Sequence, residues 1–97
     1  MAVYCASKAA VINLTQSAAL ALIPHRINVN AIAPGYIDTD MVAAVPDEVL
    51  QKIVARIPVG RLGRADEIAR GVAFLCGENA GFITGSTLSI NGGQHMY

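Results

Sequence analysis

From Tyr4 to Ile23 the chain contains neither glycine nor proline and is rich in alanine and leucine. Such a run favours a helix strongly, with Pro24 placed to stop it, so one long helix dominates a chain of 97 residues. Whatever the fold, one side of that helix must be buried. Val11, Leu14 and Ala18 recur at steps of three and four, with Leu22 four further on, and are the expected core face. Ala6, Ala10 and Ser17 are small enough to let another helix approach closely, which makes a second face a candidate interface.

The remaining segments alternate in type. Ile27, Val29 and Ala31 alternate with Asn28 and Asn30, then Ile32 and Ala33 lead into Pro34-Gly35. That pattern predicts a short, largely buried strand ending in a turn. "YIDTDM" reads as loop, with Thr39 or Asp40 able to cap a short helical turn. "PDEVLQKIVAR" has acids in its first turn and Lys52 and Arg56 near its end, which suits a helix dipole. "VGRLG" is a turn. "RADEIARGVAFLCG" predicts another helix, with Ile68, Val72 and Leu75 on one face and Gly77 as a candidate C-cap. Thr87 to Ile90 predicts the last strand. Strands separated by helices point to parallel pairing through crossovers, the pattern of open α/β sheets. Two strands alone make a poor parallel sheet, whose faces and edges need cover.

Composition says the same. Hydrophobic residues make up 54% and charged residues 14% of the chain, against about 45–50% (glycine included) and about 25% in ordinary domains. A small body has much surface per volume, so this excess is expected to be covered elsewhere, by further chain or by a subunit. The formal net charge is zero, and Arg61 and Arg64 are the nearest approach to a basic cluster, so nucleic-acid binding is not expected. Cys5 and Cys76 are far apart and in no ligand or redox spacing, the pattern of a reduced cytoplasmic protein. His25 and His95 have no partner at metal-ligand spacing, and no metal is inferred. The uncharged run Ala9–Pro24 contains Asn13, Thr15 and Gln16 and is expected to be too short and polar to span a bilayer. No secretion signal is read at the start.

Tyr4 and Lys8 stand four apart at the head of the long helix, hence on one face. A tyrosine's ordinary pKa near 10 makes it a poor proton shuttle at neutral pH. A neighbouring ammonium favours the phenolate, and the helix N-terminus pushes the same way. The pair can therefore pass a proton to a carbonyl oxygen or take one from an alcohol near pH 7. Taken by itself, Tyr-x-x-x-Lys is a weak motif and reads first as a chance pair with a solvated lysine.

Its surroundings are more specific. "YCASKAAVINLTQSAALAL", then "RINVNAIAPGYIDTDM", then "GRADEIARGVAFLCGENAGFITGSTLSINGG" together resemble the short-chain dehydrogenase/reductase family over essentially the whole chain. The resemblance implies the C-terminal part of a doubly wound Rossmann-type parallel sheet, in the order helix, strand, helices, helix, strand. "RINVNAIA" is similar to the family's sixth strand and "STLSI" to its seventh. It also implies a cofactor, NAD or NADP, and a small-molecule ketone or secondary alcohol as substrate. Tyr4 would be the general acid/base, and Lys8 would lower its pKa and bind the nicotinamide ribose. Pro34 and Gly35 match the turn that passes the nicotinamide, beyond the carboxyl end of a parallel strand where ligands sit. Ile37 would meet the carboxamide through its backbone, and Thr39 would bind the carboxamide or a phosphate. Read without the family, Pro34-Gly35 is an ordinary turn and Thr39 a helix cap. Asn28 and Asn30 are expected to satisfy neighbouring backbone rather than a ligand. Met41, Val42 and Val45 fall in a segment that in this family often closes over substrate, and are otherwise core.

The departures from the family pattern are as informative. No glycine-rich cofactor turn is present, since "GRLG" and "INGG" have neither its spacing nor its context. The residue that chooses NAD or NADP, the serine that polarises the carbonyl and a supporting asparagine would all precede Tyr4. Residues 1–97 are thus expected to be the C-terminal catalytic portion of one reductase domain, with the N-terminal cofactor-binding half outside them. By itself such a chain is expected to be inactive. "YCASKAAVINLTQSAALAL" with "HRINVNAIAPG" looks closest to sugar-alcohol dehydrogenases, whereas "PGYIDTDM" with "VGRLG" is similar to 3-oxoacyl reductases. The family also implies a homo-oligomer, dimer or tetramer, with the first helix against its counterpart. The alternative is a non-catalytic chain that only associates with other subunits.

Overall fold

The computed structural model describes residues 2–95, with the backbone but not the side chain of Tyr4. Helix α1 spans Ala2–Leu22 and tightens into a 3-10 turn over Ile23–His25. Strand β1 (Ala31–Pro34) follows, then short helix α2 (Asp40–Ala43), α3 (Asp47–Ala55), α4 (Ala65–Leu75), a second 3-10 turn (Glu78–Ala80) and strand β2 (Thr87–Ile90). The two strands pair with each other. Ala31 donates to Ser86 and Gly35 to Ile90, both at 2.9 Å, so the partner's number rises with the strand's own and the pairing is parallel. The chain is α/β, in the expected order. It divides into two compact units, Met1–Ala31 with Phe74–Leu88, and Ile32–Ala73 with Ser89–Tyr97.

In the first unit α1 starts before Tyr4 and, as expected, ends ahead of Pro24, at Leu22. Proline has no N–H and crowds the carbonyl four residues back, so the α-helix gives way there to a 3-10 turn. That turn ends two residues after Pro24, where Arg26 takes a left-handed conformation (φ 59°). Arg26 N donates to Ile23 O and Ile27 N to Leu22 O, the two bonds of a Schellman motif, built here without the usual glycine. The buried face of α1 also differs from expectation. Thr15 and Ala19 are 8% and 2% exposed, whereas Val11 and Leu14 are 55% and 68% exposed. The reason is close approach: Ala19 Cβ would lie 3.5 Å from a Cβ on Gly85, where the backbone turns at φ +76°. The small side chains win that face, and the Thr15 hydroxyl is satisfied by donating to Val11 O at 2.8 Å.

The helix is also longer than the uncharged run suggests. Its stretch Cys5–His25 has a window of mean hydropathy 1.2, and by length and composition alone it is apolar enough to cross a membrane. Lys8 lies inside the helix, and the 3-10 turn extends the helical stretch past Pro24, so it is longer than Ala9–Pro24. The Thr15–Ala19 side of α1 is core within its unit, while most of that stretch is exposed among the described residues.

Residues 28–31 are laced to 80–86 within this unit. Asn28 Nδ2 donates to Gly81 O at 3.0 Å, Asn30 Nδ2 to Ile83 O at 3.0 Å, and Asn30 Oδ1 accepts from Ser86 N at 3.0 Å. Val29 N donates to Thr84 Oγ1, and Gly85 N to Val29 O at 2.7 Å. The expected strand from Ile27 therefore shortens to Ala31–Pro34, because side-chain amides and a hydroxyl stand where ladder partners would. Gly77 follows α4 with φ −73°, so it opens the next 3-10 turn and is no left-handed cap.

The second unit centres on Ile57, 4% exposed. A Cβ on Gly92, at φ +65°, would fall 2.9 Å from Ile57 Cγ2, and one on Gly35 would fall 2.8 Å from Asn91 Cα. Both glycines stand where another chain segment leaves no room for a side chain. On α4, Ile68 is half-buried while Val72 is exposed.

Candidate functional site

Tyr4 and Lys8 lie on α1 in the first unit. They stand four residues apart in one continuous helix. The Tyr4 side chain lies outside the described residues; Lys8 is half-buried. Pro34, Gly35, Ile37 and Thr39 lie in the second unit.

Within the second unit the site can be built residue by residue. Pro34 ends β1 and is exposed. Gly35 N is committed to Ile90 O, and its missing side chain makes room for Asn91. Its glycine is therefore explained by packing, and what it still offers a ligand is its carbonyl and Cα edge. Thr39 N-caps α2, its Oγ1 accepting from Val42 N at 3.5 Å.

Ile37 forms a parallel bridge with Gly63. Gly63 N donates to Tyr36 O at 3.0 Å and Asp38 N to Gly63 O at 2.8 Å. Backbone groups alternate sides along an extended chain, so the N–H and C=O of Ile37 itself point away from Gly63. Neither has a partner among the backbone bonds of the described residues. An outward N–H and C=O on one residue is the complement of a primary carboxamide, which carries one acceptor and one donor group of its own. Beside this bridge is a cavity of about 180 Å³, lined by Tyr36, Ile37, Arg61, Glu67 and Asn91 among others. It is smaller than the usual ligand pocket of about 300–1,000 Å³, and suits an amide or a single ring.

The charged wall of the cavity is a feature the sequence reading leaves out. Arg61 donates from Nη1 and Nη2 to the two oxygens of Glu67, at 2.7 and 3.1 Å. Glu67 Oε1 also accepts from Arg64 N at 3.0 Å, the N3 half of a capping box at the start of α4. These bonds, first the Arg61 guanidinium and then the Arg64 amide, hold the Glu67 carboxyl at a pKa of about 2, below its ordinary 4.5. Arg61 is raised correspondingly by the same hydrogen bond. Arg64 pairs with Asp66 at 3.1 Å and Arg70 with Asp66 at 3.3 Å, so Arg61 and Arg64 are spent within the unit. The legible signal was a glutamate three residues past Arg64 at a helix start.

Parallel strands joined by helices, with an outward backbone pair just beyond β1, define an α/β chain. A family model described as enoyl-(acyl carrier protein) reductase matches residues 1–95. The chain belongs to that family, within the short-chain dehydrogenases/reductases. Among curated proteins it is 55% identical over 94 residues to acetoacetyl-CoA reductase of Rhizobium meliloti, covering 96% of this chain and 39% of that protein. It is 46% identical over 93 residues to 3-oxoacyl-(acyl-carrier-protein) reductase FabG of Haemophilus influenzae, covering 96% and 38%. It is equally 46% identical over 93 residues to (3R)-3-hydroxyacyl-CoA dehydrogenase of Canis lupus familiaris, covering 96% and 36%. The chain thus spans under two fifths of the length of these relatives. Of the two branches suggested by the sequence, these names stand with the 3-oxoacyl reductases.

Proposed function

We propose that residues 1–97 are the catalytic portion of an NAD(P)-dependent oxidoreductase domain that interconverts a 3-oxoacyl ketone and its secondary alcohol. The observation that carries the reading is the 55% identity to an acetoacetyl-CoA reductase over nearly the whole chain. In this reading the two strands belong to the C-terminal part of a Rossmann-type sheet, whose glycine-rich half lies outside these residues. The outward N–H and C=O of Ile37, without a backbone partner among the described residues, support a nicotinamide carboxamide as ligand, with Thr39, Pro34 and Gly35 lining its approach. When bound, that cofactor supplies or accepts the hydride.

Tyr4 moves the matching proton: its phenol protonates the ketone oxygen as the hydride arrives, or its phenolate takes the proton from the alcohol in reverse. Lys8, on the same helix face, stabilises the phenolate so that the exchange proceeds near neutral pH, and its ammonium serves the ribose hydroxyls. The exposed Val3, Val11, Leu14 and Leu20 of α1 support association with a second copy in a dimer or tetramer. Cys5 and Cys76, unpaired and exposed, accord with a cytoplasmic enzyme.

The test grafts residues 1–94 of this chain in place of the matching stretch of the Rhizobium meliloti reductase and titrates NADH and NADPH against graft and 97-residue chain. Saturable binding and acetoacetyl-CoA-dependent cofactor oxidation are expected of the graft, and no saturable binding of the chain alone. A graft that folds and binds cofactor but reduces no ketone overturns the catalytic assignment. A chain that binds cofactor by itself overturns its description as the portion lacking the nucleotide site.

A further inference from the structure

We infer that Glu67 is a positioning residue for segment 36–39, setting the backbone pair of Ile37 through the short strap of residues 61–64; this rests on the cofactor reading above. The strap touches the segment at Gly63, whose N–H and C=O make both bonds of the Ile37–Gly63 bridge. No side chain would fit there, since a Cβ on Gly63 would lie 2.8 Å from Ile37 Cδ1. The bridge is thus held by backbone alone, and it is only as well placed as the strap that carries it.

One carboxylate holds that strap on both sides of Gly63. Upstream, the Arg61 guanidinium is gripped by both oxygens of Glu67 and also donates to Leu62 O at 3.0 Å. Downstream, the backbone N–H of Arg64 donates to Glu67 Oε1. Glu67 is itself fixed in the first turn of α4, so the clamp ties the strap to a helix. A bidentate arginine–carboxylate pair constrains orientation as well as distance. An exposed pair contributes little to overall stability, so its removal should displace the bridge locally and leave the rest of the unit folded.

The experiment compares Glu67→Gln and Arg61→Lys with the parent sequence in the graft described above, reading amide hydrogen exchange and cofactor affinity together. Glu67→Gln keeps the size of the side chain and removes its charge. It should speed exchange at Asp38 and Gly63 while leaving Ala31 and Gly35 unchanged, and weaken NADPH binding about threefold to tenfold, the scale of one ordinary hydrogen bond. Arg61→Lys, which keeps charge but loses the fork, should do the same to a smaller extent. Unchanged exchange at Asp38 and Gly63 overturns the clamp, as does a rise spread evenly over Ala31 and Gly35. Local loosening with unaltered affinity in a graft that binds cofactor overturns the link from clamp to Ile37. A parent graft that binds no cofactor overturns that link too, because there is then nothing for the segment to be positioned against. Exchange at Asp38 and Gly63 would still decide whether the clamp exists.

Discussion

The two units solve the same problem in opposite ways. In the first, side chains are added where the backbone lacks partners: Asn28, Asn30 and Thr84 supply donors and acceptors to a strand-like segment that has no ladder of its own there. In the second, side chains are removed where the backbone must come close: Gly35 meets Asn91, Gly63 meets Ile37 and Gly92 meets Ile57. The difference teaches where each unit is fragile. The first should fail by losing a polar group and the second by gaining a methyl. Under the proposed function the contrast extends to chemistry, with proton transfer on α1 and backbone recognition in the second unit.

The largest effect should separate those two chemical roles. In the graft, Tyr4→Phe should lower kcat by about a hundredfold or more, the scale of lost general acid catalysis, with the Kd for NADPH within about twofold of the parent. Retained turnover would take Tyr4 out of the reaction. Next, Gly35→Ala should destabilise by about 1–3 kcal/mol, because the new methyl meets the Cα and Cβ of Asn91 and cannot swing clear. Thermal unfolding reads this as a lowered midpoint, and an unchanged one would show that the β1–β2 ends can part cheaply. Asn30→Ala should cost about 1–2 kcal/mol in the same assay, since Ile83 O and Ser86 N lose their partner but can reach water in part. If the alanine costs nothing, the first unit is not held by its amides.

The smallest effect is in pH. The Glu67 carboxyl is depressed in the fold to about 2 from 4.5, so the unfolded chain takes up its proton first as pH falls. Its contribution is full above about 4.5 and disappears as the pH falls from there through about 2. Unfolding midpoints of parent and Glu67→Gln should therefore draw together between pH 4.5 and 2 and stay a fixed distance apart above it. A gap that does not narrow would mean the charge is not what holds the strap.

How much of this was legible in the sequence depended on whether a feature was local. The last strand, Thr87–Ile90, the order of elements and the Thr39 cap all follow from short-range pattern and are present. Asn28 and Asn30 were expected to serve backbone, and they do, though the backbone is over fifty residues away. What failed needed a neighbour. Val11 and Leu14 are the more hydrophobic choice for a core face, yet Ala19 is chosen because Gly85 arrives beside it. Ile37 could be named from family likeness, whereas the partner that shapes its backbone, Gly63, has no signature beyond being a glycine in a turn.

The parallel pairing of β1 with β2 sets the order of events as the chain is made. Ala31 waits for Ser86 and Gly35 for Ile90, so the β1–β2 pairing closes only after residues 86–90 have left the ribosome. At about 5–20 residues per second, α1 and the amides of Asn28 and Asn30 spend several seconds without their partners. An apolar helix exposed for that long is a natural client for a chaperone, and slowing synthesis over residues 40–80 should lengthen that dependence, whereas faster synthesis should shorten it.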